Sequence, residues 1–409
     1  MDPVPVRRLL PLVAPALLVG IGSSLVLIAV SVLAEGLQHA VWGGASSGWR
    51  TFAILTCAGA AVGLVVWRFP GHAGPDPATE GMVAPPLRAG VVPGLLVATV
   101  LTLAGGVSLG PENPITAANI ALAFALGGRL LPGVPHGAWT GLAAAGTIGA
   151  MFGTPVAAAL ILSETPMGRP ETPLWDRLFA PLVAAGAGAL TTVTLAQPVL
   201  SVDVPAYRGF EPVDALTGPL IALAACALGL LAAYLFPLVH SAFRRVRHPL
   251  PMLTLGGALL GVLGAVGGPL TLFKGLDEMK ELAAEPPAAA DLLLVIAVKL
   301  AALLVAASCG FRGGRIFPAV FTGVAVGLLA CALVPSVPPV LAVTCGVLGI
   351  LIAMTRQGWL SLFMAATVVT DIKVLPVLCV VALPVWLLAS GRPEMQIDEP
   401  RPVDHPASP

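Results

Sequence analysis

The chain has 409 residues, 57% of them hydrophobic and only 10% charged, and its 21 basic and 21 acidic side chains cancel to zero net charge. A soluble globular domain carries about 25% charge, so a mean hydropathy of +0.94 excludes one and points to a polytopic membrane protein. Zero net charge also removes the basic surface that nucleic-acid binding requires.

The 46 glycines and 40 prolines lie largely within apolar segments, where they favour close helix packing and frequent breaks, tolerated in a bilayer only where protein or a cavity satisfies the backbone. Met1 to Ala34 carries Arg7 and Arg8 ahead of an apolar run too long for a signal-peptide core, so it reads as the first membrane helix. Apolar runs between proline, glycine and charge breaks predict segments near 9–33, 52–67, 89–104, 115–131, 138–163 and 178–196. A second set follows near 215–239, 252–268, 290–309, 316–334, 338–355, 359–369 and 372–389. Several fall short of the roughly 20 residues a full span needs, so short, tilted or re-entrant helices are expected.

Arg244, Arg245 and Arg247, with Arg7 and Arg8, mark the cytoplasmic side by the positive-inside rule, whereas 201–214 carries no such excess and is assigned outside. The expected division is a first transmembrane half over 1–200, a second over 201–390, and a disordered, proline-rich polar tail over 391–409. The six cysteines are scattered singly without C-x-x-C spacing and read as small packing residues. His39, His136, His240 and His248 lie beside loops without ligand spacing, and no metal or cofactor is expected.

One stretch dominates the first half: Gly105-Gly106-Val107-Ser108-Leu109-Gly110-Pro111-Glu112-Asn113-Pro114. Nothing ionisable lies between Arg88 and Glu112, nor from there to Arg129, so Glu112 is a lone carboxylate between two apolar segments. Such an acid is expensive to keep ionised at membrane depth and is normally paired, protonated or functional. The glycines and prolines around it forbid an ordinary continuous helix, and a broken helix beside a buried acid is the usual form of an ion site in a transporter. A second break, Gly310-Phe311-Arg312-Gly313-Gly314-Arg315-Ile316-Phe317-Pro318, opens another apolar helix. Paired glycines there leave backbone N–H groups approachable and the helix dipole adds positive potential, which together make an anion cradle. A hairpin loop at the membrane surface is the competing reading. Ala150 to Leu160 and Met354 to Leu362 each show a break followed by a small-residue helix, so the two halves carry corresponding interruptions, as an inverted repeat does.

Gly110-Pro111-Glu112-Asn113-Pro114, then Ala143 to Pro155 with Leu162-Ser163-Glu164, then Lys299, then Gly314-Arg315-Ile316-Phe317-Pro318 follow one another at intervals that resemble the CLC family of chloride channels and proton-coupled anion transporters. The first is similar to the family's G-(K/R)-E-G-P, the second to its A-A-F-x-x-P helix ending in an acid, and the last to its G-x-F-x-P. Lys299 stands where the family usually has a basic residue. The resemblance implies an all-α polytopic fold, a CLC-like inverted repeat of many short, tilted and re-entrant helices, assembled as a homodimer with one anion pathway per subunit. It implies that Glu112 is the gating glutamate, occupying an anion position when ionised and vacating it when protonated. Backbone around Gly110, Pro111 and Asn113, and around Gly314, Arg315, Ile316 and Phe317, would bind the permeating ion.

The departures from the family pattern are specific. Pro111 stands at its basic position and Asn113 at its second glycine, while Arg315 and Ile316 replace apolar and Phe positions. The family's G-S-G-I-P would fall near Gly71 to Pro77, putting His72, Gly74 or Pro75 at its serine, with Gly74 and Pro75 carried over as anion-binding. Its pore tyrosine, expected after Thr370-Asp371, gives way to Ile372-Lys373-Val374-Leu375-Pro376. With both hydroxyl donors gone, fluoride or nitrate stands beside chloride as the candidate ion. Glu164 matches a general glutamate and Thr165 the relay position after it, so Glu112 and Glu164 form the expected proton pathway.

The expected function is transport of a small inorganic anion across the cell membrane, as an anion/proton antiporter, with a passive channel on the same fold as the nearest alternative. A membrane enzyme needs a second catalytic group near Glu112, and Ser108 and Ser163 have no His and Asp partners. An organic-solute carrier would show uptake that small anions do not inhibit. Lys299 within an apolar run marks a vestibule or an assembly contact, and Asp277, Glu278, Lys280 and Glu281 read as a solvated helix face.

Overall fold

The computed structural model describes residues 6–44, 47–131, 134, 136–165, 172–196 and 200–397. Among these residues the chain forms fifteen α-helices. The first seven are α1 (Val6–Trp42), α2 (Gly48–Arg68), α3 (Val92–Ala104), α4 (Glu112–Leu130), α5 (His136–Phe152), α6 (Pro155–Glu164) and α7 (Leu174–Leu195). The remainder are α8 (Asp214–Arg244), α9 (Pro249–Gly267), α10 (Leu276–Ala284), α11 (Ala289–Ser308), α12 (Ile316–Leu333), α13 (Pro339–Thr355), α14 (Gly358–Val369) and α15 (Leu375–Ala389). Eight helical stretches are long and apolar enough to cross a bilayer, while α6, α13 and α14 are shorter apolar pieces. The fold is the all-α, multi-pass architecture that the apolar runs predict.

Three boundaries differ from that prediction. The run 138–163 is two helices, because Gly153 takes φ +67 and the Thr154 hydroxyl accepts the Val156 N–H at 3.2 Å to cap α6, with Pro155 at its first position. The polar stretch 274–291 folds as α10 and the start of α11, its apolar side burying Met279 and Leu282. The disordered tail expected from Gly391 does not begin there. Met395 is 1% exposed, its N–H bonds the Met354 carbonyl at 3.1 Å, and the Ile397 N–H bonds that of Ala78 at 2.9 Å. One inserted apolar side chain and two backbone pairs hold 391–397 on the core. Residues 398–409 of that expected tail lie outside the described residues.

The breaks correspond across the chain. Gly106 at φ +81 separates α3 from α4, and Gly310 at φ +96 separates α11 from α12. Gly153 separates α5 from α6, while Arg356 at φ +54 separates α13 from α14. A left-handed non-glycine residue costs about 1–2 kcal/mol. At Arg356 the guanidinium offsets this by donating to the carbonyls of Ile352 and Ala353 at 2.9 and 3.1 Å, and to those of Arg392 and Pro393.

The helices approach closely where small residues face each other. On α2 and α9 the contacts run antiparallel, Gly48 against Ala265, Leu55 against Gly257, Gly59 against Leu253 and Gly63 against Leu250. A Cβ on Gly257 would stand 2.3 Å from the Leu55 carbonyl oxygen, and one on Gly59 the same distance from that of Leu253. This seam puts the α2 C-terminus, the α8 C-terminus and the α9 N-terminus on one side, where Arg244, Arg245 and Arg247 cluster. Gly257→Ala is expected to lower stability by about 1–3 kcal/mol through overpacking. Gly36→Ala on α1, whose added Cβ meets nothing within 4 Å, should be neutral or stabilising. Thermal unfolding of the detergent-solubilised protein compares the two.

Candidate functional site

Two glycines bring the breaks together. The Gly110 N–H donates to the Gly314 carbonyl at 2.9 Å and the Gly314 N–H donates back at 2.6 Å, an isolated antiparallel bridge between the turns preceding α4 and α12. Glu112 opens α4 immediately after this bridge and is fully buried. Its Oε1 accepts the Ile316 N–H at 2.6 Å and the Phe317 N–H at 3.3 Å. These are the first donors of α12, which has no side-chain cap of its own, so a carboxylate from another helix caps it. Glu112 Oε2 has no partner. A Cβ on Gly110 would lie 2.0 Å from Oε2, and one on Gly314 2.3 Å from the Glu112 carboxyl carbon. A side chain at either position would push this carboxylate from its place.

The neighbouring polar groups hold the site from behind. Asn113 Nδ2 donates to the Glu80 carbonyl at 3.4 Å. The Arg315 guanidinium donates to the carbonyls of Met395 and, at 2.8 Å, Glu80, and lies 5.7 Å from the Phe236 ring. Its charge still acts electrostatically on Glu112. Phe317 continues into an aromatic row, 6.1 Å from Phe152, which lies 6.1 Å from Phe363. Before α4, the Gly106 carbonyl accepts the Phe273 N–H at 2.9 Å. Lys299 holds that turn. Fully buried, its Nζ donates to the carbonyls of Thr271, Leu272 and Phe273 at 3.3, 2.8 and 3.0 Å, sits 4.6 Å from the Phe321 ring, and interacts with Glu278. Lys299 is thus neither in a vestibule nor at an assembly contact. Glu278 is accordingly drawn out of the solvated face that Asp277 and Lys280 keep.

Cavities lie on both sides. One of about 250 Å³, with Pro111 and Phe317 in its wall, carries Glu35, Lys274, Asp277 and Lys280 at its polar edge. The other, of about 590 Å³, lies on the arginine-rich side and is lined by Gly74 and Pro75, with His72, Arg244, Ser308 and Arg312. Gly74 and Pro75 therefore do not join the Glu112 cluster, and they offer no amide to an anion. Gly71, His72, Ala73 and Gly74 all have positive φ; the Gly74 N–H is used by the Gly71 carbonyl and Pro75 has none. This left-handed turn aims carbonyls at Arg312, whose guanidinium donates to those of His72, Gly74 and Pro75 at 2.6, 3.0 and 2.6 Å. Nearby, burial pushes the Asp76 carboxyl up, but His240 at 2.8 Å, the Ala78 N–H and Arg244 outweigh it and hold it below its ordinary value.

Glu164 is exposed at the end of α6, and its Oε1 accepts the Trp359 N–H at 3.0 Å. It caps α14 as Glu112 caps α12. Lys373 is exposed, and Asp371 bonds the N–H groups of Tyr207 and Lys373 at 2.9 and 3.0 Å. These two N–H groups hold that carboxyl below its ordinary value. Ser308, Arg312 and Phe152 received no role from the sequence. Only the placement of Arg312 and Ser308 beside the second glycine break could have drawn notice to them.

A model of the voltage gated chloride channel family matches residues 58–388. The chain belongs to this family. Its members are transporters and channels that move anions through the membrane. A relative from Escherichia coli (strain 55989 / EAEC), named "Putative ion-transport protein YfeO", is 51% identical over 404 residues, covering 97% of each chain. A protein of the same name from Escherichia fergusonii is equally similar, 51% identical over 404 residues. Among solved structures the chain is similar to a CLC-type fluoride/proton antiporter, with a TM-score of 0.78 and 19% identity over 94% of this chain and 97% of the other. It is also similar to a slow cyanobacterial Cl-/H+ antiporter, with a TM-score of 0.76 and 19% identity over 96% of both. These two likenesses concern the fold.

Within this family fold, Lys299 is the cation that fixes the turn beneath the Glu112 loop. Lys299→Met is expected to cost about 1–3 kcal/mol, because three buried carbonyls lose their shared donor. Thermal unfolding measures the loss, and hydrogen exchange should show the amide of Phe273 released before those of the surrounding helices.

Proposed function

We propose that the protein exchanges a small inorganic anion for protons, with Glu112 as the gate. The observation that carries this reading is the Glu112 carboxylate resting on the N–H groups of Ile316 and Phe317. A helix N-terminus does not distinguish a tethered carboxylate from a free anion of similar size, so the two compete for it. Each charge-assisted hydrogen bond contributes about 1.5–3 kcal/mol, and burying a carboxylate costs several kcal/mol. The ionised side chain is therefore held by a narrow margin, and protonation or a competing anion suffices to release it.

Backbone at Gly110, Pro111 and Asn113 and at Gly314, Arg315, Ile316 and Phe317 forms the anion position in this reading, with the two cavities as its approaches. Glu164, exposed and capping α14, is the second group of the proton path. Fluoride, chloride and nitrate are all candidates, and the fluoride/proton and Cl-/H+ exchange named for the two structural neighbours supports proton coupling over a passive channel. The halves 1–200 and 201–390 act as the two repeats, with a homodimer formed across apolar residues such as Val156, Leu383 and Trp386 that stand exposed on α6 and α15.

Purified protein in liposomes tests the proposal. An imposed anion gradient should drive uphill proton movement, and Glu112→Gln, which preserves side-chain shape, should abolish that movement while leaving a monodisperse protein. Anion flux with unchanged pH dependence in the variant would falsify the assignment of Glu112. Anion flux without any proton movement in the wild type identifies a channel.

A further inference from the structure

Away from the gate, α1 and the C-terminal half of α4 part. Asn119 of α4 donates through Nδ2 to the Ser23 carbonyl of α1 at 3.2 Å and to the Thr147 hydroxyl of α5 at 2.8 Å. That ties the three helices together two turns beyond Glu112. Along this tie runs a groove of about 270 Å³, walled by Pro15, Leu18 and Gly22 of α1 and by Leu126 and Leu130 of α4, with Trp139 of α5 buried in its floor. No charged side chain lines it. Leu18 is 66% and Leu130 75% exposed, so the rim opens outward, and α1 is long and apolar enough to cross a bilayer. Interiors leave few voids larger than a water molecule, and apolar cavities stay dry. A groove of this size and lining, open to the bilayer, is a place for hydrocarbon.

One end of the groove is basic. Leu12 and Ala16 of α1 pack with Val134, Trp139 and Ala180, so α1 and α7 begin, and α4 ends, on the same side. Arg7 and Arg8 stand at the start of α1, and Arg129 is exposed in the last turn of α4. Asp176 and Arg177 in the first turn of α7 cancel in charge, and no acidic residue occurs between Arg129 and Glu164. Arg50 of α2 donates to the Val41 and Gly43 carbonyls at the end of α1. The α1 N-terminus therefore shares the side of the α2 C-terminus, where Arg244, Arg245 and Arg247 cluster. By the positive-inside rule this is the leaflet in which basic sites between helices meet anionic headgroups, and a guanidinium suits phosphate through paired N–H donors.

We propose that this groove binds an anionic phospholipid, one acyl chain lying between α1 and α4 against Trp139 and the phosphate held by Arg129 at the α1 N-terminus. The site stands on the membrane fold and does not depend on the transport reading. It uses neither α6 nor α15, on which the subunit contact was placed above, so it stays open in a dimer. Glycines shape both walls: a Cβ on Gly22 would meet nothing within 4 Å, and one on Gly127 would stand 2.5 Å from the Trp139 indole. The bound chain braces α4, the helix that begins with Glu112, beside its tie at Asn119.

Full-length protein in detergent, followed by native mass spectrometry, provides the test, with phosphatidylglycerol as the probe and phosphatidylethanolamine as its zwitterionic control. Phosphatidylglycerol should bind the wild type about fivefold more tightly, one arginine's share of the attraction to an anionic headgroup. Arg129→Gln should bring the two lipids to equal affinity. Gly22→Phe places a ring in the groove and should abolish saturable binding of both; if that variant does not fold, Gly22→Leu fills the same space. Glycerol phosphate, which has the headgroup charge and no chain, should not compete. Equal affinity for the two lipids in the wild type, or unchanged phosphatidylglycerol binding in the folded Gly22 variant, overturns the site. Competition by glycerol phosphate overturns the placement of the chain.

Discussion

The contact between the Glu112 carboxylate and the N–H groups of Ile316 and Phe317 joins residues 204 and 205 positions apart in sequence, and the organisation of the centre follows from it. A helix that begins inside a membrane has donors with no water to satisfy them. Here another helix supplies the acceptor, at the cost of burying a carboxylate. Gly110 and Gly314 make that possible, since a side chain at either would collide with the acid. The same two residues form the backbone bridge, so the position of α12 relative to α4 and the position of the carboxylate are one constraint.

Arginines near this centre act through backbone instead of standing free. Arg315 joins the 391–397 segment to the loop at Glu80, Arg356 holds a left-handed break, and Arg312 gathers three carbonyls of the Gly71–Gly74 turn. A guanidinium has five donors in a fixed fork and no acceptor, which suits a place where the chain has left carbonyls pointing inward. Lys299 does the same with three carbonyls at Thr271 to Phe273. Full positive charge is thereby kept within the electrostatic field of the centre while the groups touching Glu112 are neutral amides. A site made only of amides binds an anion less tightly than one with a direct cation, and weak binding is what turnover needs.

Glu112 and the two glycine breaks were legible in sequence because isolation of a charge and clustering of Gly and Pro are local signals. The all-α, many-pass fold was legible for the same reason, through hydropathy. The turn at 71–74 was not. Four consecutive positive φ values, two of them at His72 and Ala73, contradict local preference, and they persist because Arg312, some 240 residues away, binds the carbonyls they expose. The packing of Met395 was hidden similarly: a polar, proline-rich stretch reads as unstructured until Arg315 and Arg356 provide donors for its carbonyls. Glu164 was picked out by resemblance, and its cap on α14 depended on where α6 ends beside Gly358.

Capping in trans occurs twice. Glu112 of α4 holds α12, and Glu164 of α6 holds α14, each through one oxygen on the first backbone donors. The two differ in surroundings. Glu164 is exposed, so water can replace the cap and its loss frees little energy in either direction. Glu112 is sealed, so its removal leaves two donors that only another anion or an entering water can satisfy. If Glu112 acts as the gate proposed above, release of its carboxylate is therefore tied to arrival of something else at the same N–H groups. That coupling arises from hydrogen-bond satisfaction in a dry site, with no large rearrangement of the helices required.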